Sequence, residues 1–527
     1  MSARQFERIR NFGGGADLYR NPIDLAENQS QGMVNVVVRD NYEARTRMGA
    51  DPLLAGLPLT GPVRGLMYLD KPNGLAAPTR QLLAVTGGNV YMYNGAAWSA
   101  ALAWQPSDAQ VSVAAAQGVD KLLITDGVGN VQSYDGAAFT DQGAGGGTPD
   151  KAPPKGVQIL CWSGGRMWAS GHPQYPDTVF YSSLLDFTSG QAWDFTNQSF
   201  RVGGGDGDPI MALKPLPGFR LAAIKRNSVY LIDTNPTDMA SLGAGAYAQQ
   251  ASEPVGSELG GCGRFAAATY QNDLLFMCPE DGIYSLQRMQ AAAGQYQLTA
   301  PLSLPIQPLI DRINWNYMSG IIGTRYKQFV LFFVPLDGAA YNNAALVWNG
   351  RLQQWLGYWT GWTPTAVATP RFNGLTRLVF GDNGGQVNQW KDYASLIDDN
   401  TYKDNGVGYA SELDTRSLIW GSLEAQKKLR AFLARFNGGN ATVNFTCYGD
   451  LANDDAWANP VQPVGDILGQ GHLPFQLELS GPLDVYRSLA GIPYSTEAYF
   501  KIQANTGWWA LRTIVASAFL KPMATDA

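Results

Sequence analysis

Two stretches of this chain are written to one plan 41 residues apart, and that period constrains the fold more than any other feature. The first, QLLAVTGGNVYMYNGAAW at 81 to 98, reads as apolar strand, Gly-Gly turn, second strand, Asn-Gly turn and aromatic residue. The second, KLLITDGVGNVQSYDGAAF at 121 to 139, repeats it. Gly88-Asn89-Val90 returns as Gly129-Asn130-Val131, and Asn94-Gly95-Ala96-Ala97-Trp98 as Asp135-Gly136-Ala137-Ala138-Phe139. Asn-Gly accepts positive φ at both residues, as a two-residue type I′ hairpin turn requires. Short strands repeated at this period are the sequence mark of a β-propeller blade.

From residue 61 the plan recurs as a three-strand unit. Its first strands are VRGLMYL at 63, VSVAAA at 111, VQILCW at 157, IMALKPL at 210, FAAATY at 265, SGIIGT at 319 and TAVATP at 365. The second strands are QLLAVT, KLLITD, RMWAS, RLAAIK, DLLFM, QFVLFF and RLVFGD. The third are NVYMY, NVQSY, TVFYS, SVYLI, GIYSL, ALVWN and QVNQW. Small apolar residues in the first strands suit the crowded inner edge beside a propeller axis. The outer, fourth strands are reduced to an aromatic such as Trp98, Phe139 or Trp355. The count is about seven blades, with six and eight left open by those blurred outer strands.

Both ends depart from the period. Residues 1 to 32 are polar and Gly-rich and read as an extended arm, followed by strands at 33 to 39 and 44 to 48. The unpartnered run Val34 to Val38 is expected to join the last blade and remove an exposed edge. After Trp390 a polar linker, KDYASLIDDNTYKDNG, leads to longer strands from 408 to 527, expected as a β-sandwich. The Pro- and Gly-rich segment 451 to 495 reads as an inserted flap. The expected fold is thus all-β: an arm and closing strand over 1–60, a β-propeller over 61–400, and a C-terminal β-sandwich over 401–527.

A chain of 527 residues exceeds one ordinary core, which fits a repeat architecture. Only 16% of residues are charged, and 38 Lys and Arg against 44 Asp and Glu leave −6. That balance disfavours a dedicated nucleic-acid or anionic-membrane binder. The N-terminus MSARQFERIR has no apolar stretch behind it and no 18 apolar residues run together, so a soluble, cytoplasmically made protein without membrane partners is expected. Cys161, Cys262, Cys278 and Cys447 lack CxxC spacing, and with only His172 and His472 a zinc site has little material. Buried free thiols are expected, although Cys262 and Cys278 could face each other on neighbouring strands.

Several stretches invite a site. In RVGGGDGDPI, 201 to 210, Asp206 and Asp208 could offer oxygens to calcium. A calcium loop needs more ligands, including a late bidentate Glu, and Pro209 follows at once. No helix follows to favour a phosphate either, so a structural turn is expected. GAGGGTPDKAPPKG, 143 to 156, lacks the strand-then-helix context of a dinucleotide site and reads as a connection. Lys427, Lys428 and Arg430 alternate around Leu429 and Phe432 and read as the wet face of a strand. Glu258, Glu280 and Asp281 have only their carboxylates to recommend them as acids or bases. The inner strands carry few ionisable groups, and the charged centre of propeller glycosidases is missing. No enzyme, cofactor, catalytic residue or metal site is expected.

One longer phrase carries a resemblance. The stretch 177 to 233, DTVFYSSLLDFTSGQAWDFTNQSFRVGGGDGDPIMALKPLPGFRLAAIKRNSVYLID, is similar to tail proteins of short-tailed bacteriophages. The matching residues are Tyr181-Ser182, Asp186-Phe187, Gly205 to Asp208, Ile210 and Lys225 to Tyr230. This is the tail nozzle or tail hub group, also called packaged-DNA stabilisation proteins. Its frequent Thr-Pro-Gly after the first hairpin is here Met48-Gly49-Ala50. The resemblance implies a virion protein forming a homohexameric ring below the portal and the head-to-tail adaptor. Such a ring would contact tail fibres or a tail-tip protein, and would pass DNA without reading its sequence, retaining it until ejection. Neutral to acidic channel walls suit that task, because lysines would grip phosphates. The competing reading is a propeller-type carbohydrate-binding or depolymerase protein of the virion.

Overall fold

The computed structural model describes residues 4–521 apart from 40, 55–58, 60, 109–111, 144–150, 236–251, 294–299, 393–397, 422–424, 450–456, 462–482 and 489–494. The protein is all-β, built of many small, mostly antiparallel sheets. The first sheet comprises Val63–Asn73, Ala76–Thr86 and Asn89–Tyr93; the second, Ala114–Gly118, Lys121–Thr125, Gln132–Tyr134 and Phe139–Asp141. Ile159–Ser163, Arg166–Ser170, Thr178–Tyr181 and Ser199–Arg201 form the third, and Ile210–Leu216, Arg220–Lys225, Ser228–Asp233 and Ser252–Ser257 the fourth. The fifth has Ala267–Tyr270, Asp273–Cys278 and Gly282–Ser285, with helix Leu286–Ala293 packed on it. The sixth unit is Ile322–Tyr326, Phe329–Val334, Ala344–Asn349 and Gln354–Thr360. The seventh is Pro364–Ala368, Val379–Asp382 and Val387–Trp390.

The repeated turn owes its shape to its first residue. Asn94 Oδ1 accepts from the amides of Ala96 (2.9 Å) and Ala97 (3.0 Å), and Asp135 Oδ1 from those of Ala137 (2.8 Å) and Ala138 (2.9 Å). The expected type I′ turn is therefore replaced by an Asx turn in both copies, since the side chain takes the amides that follow it. Only the glycine of each pair has positive φ, +101° at Gly95 and +99° at Gly136.

Middle strands are buried on both faces, as Leu122, Leu123 and Ile124 show, because each sheet packs between two others. Apolar clusters join the first sheet to the second (Met67, Leu83, Ile124), the second to the third (Leu123, Met167) and the third to the fourth (Trp168, Leu221). Further clusters join the fourth to the fifth (Ile224, Phe276) and the fifth to the sixth (Leu275, Val330). The sixth meets the seventh through Phe329 and Trp390, and the seventh returns to the first through Val379 and Leu82. Each such side chain contributes roughly 1.5–3 kcal/mol by leaving water.

Neighbouring sheets also meet at the ends of their first hairpins. Gln117 exchanges hydrogen bonds with the Asp70 backbone (2.8 and 3.0 Å). Ser163 Oγ lies 3.1 Å from Thr234 Oγ1, and the Thr234 amide donates to Phe219 O (2.7 Å).

The chain ends differ from expectation. The strand added to the seventh sheet is Ala50–Pro52, paired Ala50 to Trp390 and Pro52 to Asn388, not the run Val34 to Val38. Val36–Val38 instead pairs with Ala44–Thr46, whose other edge meets Trp509–Lys521. The expected arm is pinned at both ends by strands: Arg4–Ile9 runs along Trp509–Lys521, while Gln29–Val34 lies between Gln354–Thr360 and Ser411–Thr415. The sixth sheet thus continues through Gln29–Val34 into Ser411–Thr415, Ala498–Ala504, Val443–Gly449 and Trp457–Val461. A second sheet, with Gln426–Gly439 and Trp509–Lys521 at its centre, faces it through Phe432 and Phe436 packed on Phe445 and Phe500. The C-terminal strands therefore share both sheets with N-terminal ones. No helix among the described residues is long and apolar enough to cross a membrane.

Candidate functional site

The stretch 177 to 233 occupies the third and fourth sheets, and its acidic turn is spent within the fold. Lys225, fully buried, donates to Asp206 Oδ1 and to Val202 O (3.0 Å), with the Tyr230 ring 5.5 Å away. Asp208 accepts from the amide of Asn227 (3.0 Å), from Asn227 Nδ2 (3.2 Å) and from Ser228 Oγ (3.3 Å). The two carboxylates therefore fasten the 201–210 loop onto the hairpin at 225–228. Gly203 has φ +82°, and a Cβ there would stand 2.8 Å from Lys225 Nζ, so the clasp needs glycine at that point. Asp186 likewise turns inward on its own loop, accepting from the amides of Thr188 (3.3 Å) and Ser189 (3.1 Å).

A second place of interest is a partly open cavity of about 290 Å³ lined by first strands, with Leu66, Ala114, Ile159 and Leu213 among its walls. Two cations line it, Lys214 and Arg264, and no Asp or Glu among the described residues does so. Arg264 donates to Ser112 O (2.8 Å) and Gln158 O (3.2 Å), just ahead of the first strands of the second and third sheets. Burial lowers the pKa of both cations, while the neighbouring Cys161 partly offsets this at Lys214. Burial also pushes the Cys161 thiol up to about 12.

The other residues singled out in the sequence do not converge. Glu258 and Glu280 are exposed turn residues with φ of +68° and +63°. Asp281 accepts from the Tyr284 hydroxyl (2.5 Å). Lys427, Lys428 and Arg430 do not form one wet face. Lys427 is buried and donates to Thr496 O, whereas Arg430 is exposed over the Phe519 ring at 4.7 Å. All four cysteines are buried free thiols, Cys262 and Cys278 included. His172 accepts from the Gln174 amide (3.1 Å) and packs on Tyr175, and burial lowers its pKa. His472, half of the 143–156 loop and most of the flap at 451–495 lie outside the described residues. No group of three or more potential metal ligands occurs among the described residues.

Lys214 and Arg264 are not among the residues singled out in the sequence. The available signal was a lysine inside the apolar strand IMALKPL. That Arg264 faces the same cavity has no local trace, because apart from Phe265 its neighbours there come from distant positions, 66 to 160, 213 to 214 and 367 to 368.

No family model matches the chain, and no curated protein does so either. Solved structures with some likeness include the computationally designed Ika8 protein, at 12% identity and a TM-score of 0.35, covering 68% of this chain and 96% of that one. PorZ, a bacterial surface component of the type-IX secretion system of Porphyromonas gingivalis, matches at 12% identity and 0.40, over 69% of this chain and 42% of its own. BBS1N, solved in complex with ARL6DN, matches at 10% identity and 0.36, over 65% and 94%. At that degree of superposition none of the three bears on what this chain does.

Proposed function

We propose that this chain is a structural subunit of the tail of a short-tailed bacteriophage. In this reading it is a seven-bladed propeller whose last blade is completed by Ala50–Pro52, with a β-sandwich built from both chain ends. Six copies form a nozzle ring below the portal and adaptor, continue the DNA channel without sequence-specific contacts, and hold the packaged DNA until ejection. The protein is made in the host cytoplasm and ends in the virion. It has no catalytic role.

The observation that carries this reading is the stretch 177 to 233. It is where the chain resembles tail nozzle proteins, and its polar residues serve the fold: Asp206 clasps Lys225, and Asp208 holds Asn227 and Ser228. The cycle of apolar clusters through seven sheets supports the propeller. Exposed apolar residues support a ring. Leu75, Val119 and Phe219 stand on the first hairpins of three sheets, and Leu185 beside the third's, where its amide donates to Gly165 O (2.8 Å). Val119, Leu185 and Phe219 have φ of +46°, +56° and +57°, an unfavourable backbone for such side chains. Exposed apolar residues grouped in this way favour a protein contact. We assign that end to the neighbouring subunit, in the head-to-tail manner that closes a ring.

Phage particles assembled without this protein test the reading. Their heads should fill with DNA and then lose it to added nuclease. Particles that keep their DNA and infect normally in its absence would refute the assignment.

A further inference from the structure

Lys214 is half-buried and set apart from buried cations that have a carboxylate partner. Arg47 has Asp404, Lys225 has Asp206 and Lys391 has Asp51. The Lys214 ammonium has no hydrogen bond or ion pair to any described residue, and it lines a cavity whose other charged group is Arg264. Withdrawing an ammonium even partly from water without a partner carries a cost. Here two half-buried cations share one partly open space, lined also by Gln117 and Gln158, with no carboxylate among its described walls. A guanidinium has five N–H donors in a fixed fork, and the two carbonyls that Arg264 meets take two of them. The volume is close to that of the smallest ligand pockets, about 300 Å³, too small for a polymer but sufficient for one compact ion.

We propose that this cavity binds a small oxyanion (phosphate, sulfate or a short carboxylate), held by the Lys214 ammonium and attracted by the Arg264 guanidinium. The ion supplies the missing counter-charge, and the first strands of several sheets line its site. This site does not depend on the role of the protein in a tail.

Titration calorimetry on the full chain tests it, with inorganic phosphate, sulfate and malonate each added in a chloride buffer near neutral pH. One saturable site is expected. Comparison of the three ions distinguishes an inorganic from a carboxylate ligand. Lys214→Met should weaken binding at least about tenfold, as loss of the principal charge partner would. Lys214→Arg, which keeps the charge, should stay within roughly threefold. Lys155→Met, at an exposed site away from the cavity, should change nothing. If Lys214→Met does not fold, Lys214→Gln carries the same expectation. Absence of saturable binding by all three ions to the wild type would overturn the proposal, as would equal affinity of the folded charge-removing variant and the wild type.

Discussion

Arg47, fully buried, meets Asp404 through two parallel bonds, Nη2 to Oδ2 at 2.6 Å and Nη1 to Oδ1 at 3.1 Å. The same guanidinium reaches Asn35 Oδ1 (2.9 Å) and Thr360 O (2.6 Å), and lies against the rings of Tyr409 and Trp362. Asp404 also accepts from the Ala50 amide (2.8 Å), at the start of the strand added to the seventh sheet. A single ion pair thus ties the N-terminal strands, the sixth sheet and the segment expected to be only a linker. Breaking it leaves an unpaired buried charge. Arg47→Met or Asp404→Asn should cost about 3–5 kcal/mol by urea denaturation. The double substitution should cost less than the sum. A loss below about 0.5 kcal/mol for either single variant, as an exposed pair gives, would contradict this account.

The strand Ala50–Pro52 is the joint that completes the seventh sheet, and Pro52 faces Asn388 there. Facing residues on adjacent antiparallel strands are within disulfide reach. Pro52→Cys with Asn388→Cys should therefore oxidise spontaneously and run faster on a non-reducing gel. Thiols that stay fully titratable in the folded double variant would show that the strand is not seated there.

Asp206 and Asp208 are predicted to act as a clasp and not as calcium ligands. Asp206→Asn leaves the Lys225 ammonium buried without its carboxylate and should cost about 1–3 kcal/mol. Melting of the wild type should be the same in excess calcium and in chelator. A calcium-dependent rise of several degrees that Asp206→Asn abolishes would reverse the assignment.

The Asp414 carboxyl sits in the sheet shared by the two chain ends, with Oδ1 buried and unpartnered among the described residues. Burial, then the nearby Glu412 charge, raises its pKa from 3.8 to about 7, against a lowering pull from Lys501. Glu412 is itself held by Lys501 (2.5 Å) and by Gln503. The folded form thus keeps a proton that the unfolded chain releases near pH 4. Stability falls as pH rises from about 4 towards 7, and above that the loss is complete. Asp414→Asn should flatten this slope and raise stability at pH 8 by roughly 1–3 kcal/mol. Parallel Tm-against-pH curves for variant and wild type would exclude Asp414 as the source.

What was legible in the sequence was whatever is decided locally. Each run such as Leu82-Leu83-Ala84-Val85 or Phe329 to Val334 is apolar because both its faces are covered, and turn residues bracket it. The three strands of every unit could therefore be read. Ala50-Asp51-Pro52 could not: three residues without apolar alternation pair with Trp390, 340 positions away. Arg4–Ile9 likewise finds its partner at Ile514 to Phe519, a contact with no local trace. Lys427 departs from the expected wet face because plain alternation puts it on the buried side with Leu429, opposite Lys428 and Arg430, where a carbonyl at Thr496 receives its ammonium. Lys214 and Arg264 were missed for the reason that makes them interesting. They are isolated cations in apolar surroundings, brought together only by the packing of sheets.

Three-dimensional imaging of the assembled phage tail tests the central proposal most directly. The account predicts six copies of this protein in a closed ring around the DNA axis below the adaptor, with the end bearing Val119 and Phe219 against the adjacent copy. Trimeric spikes at the tail periphery, away from the DNA, would contradict it.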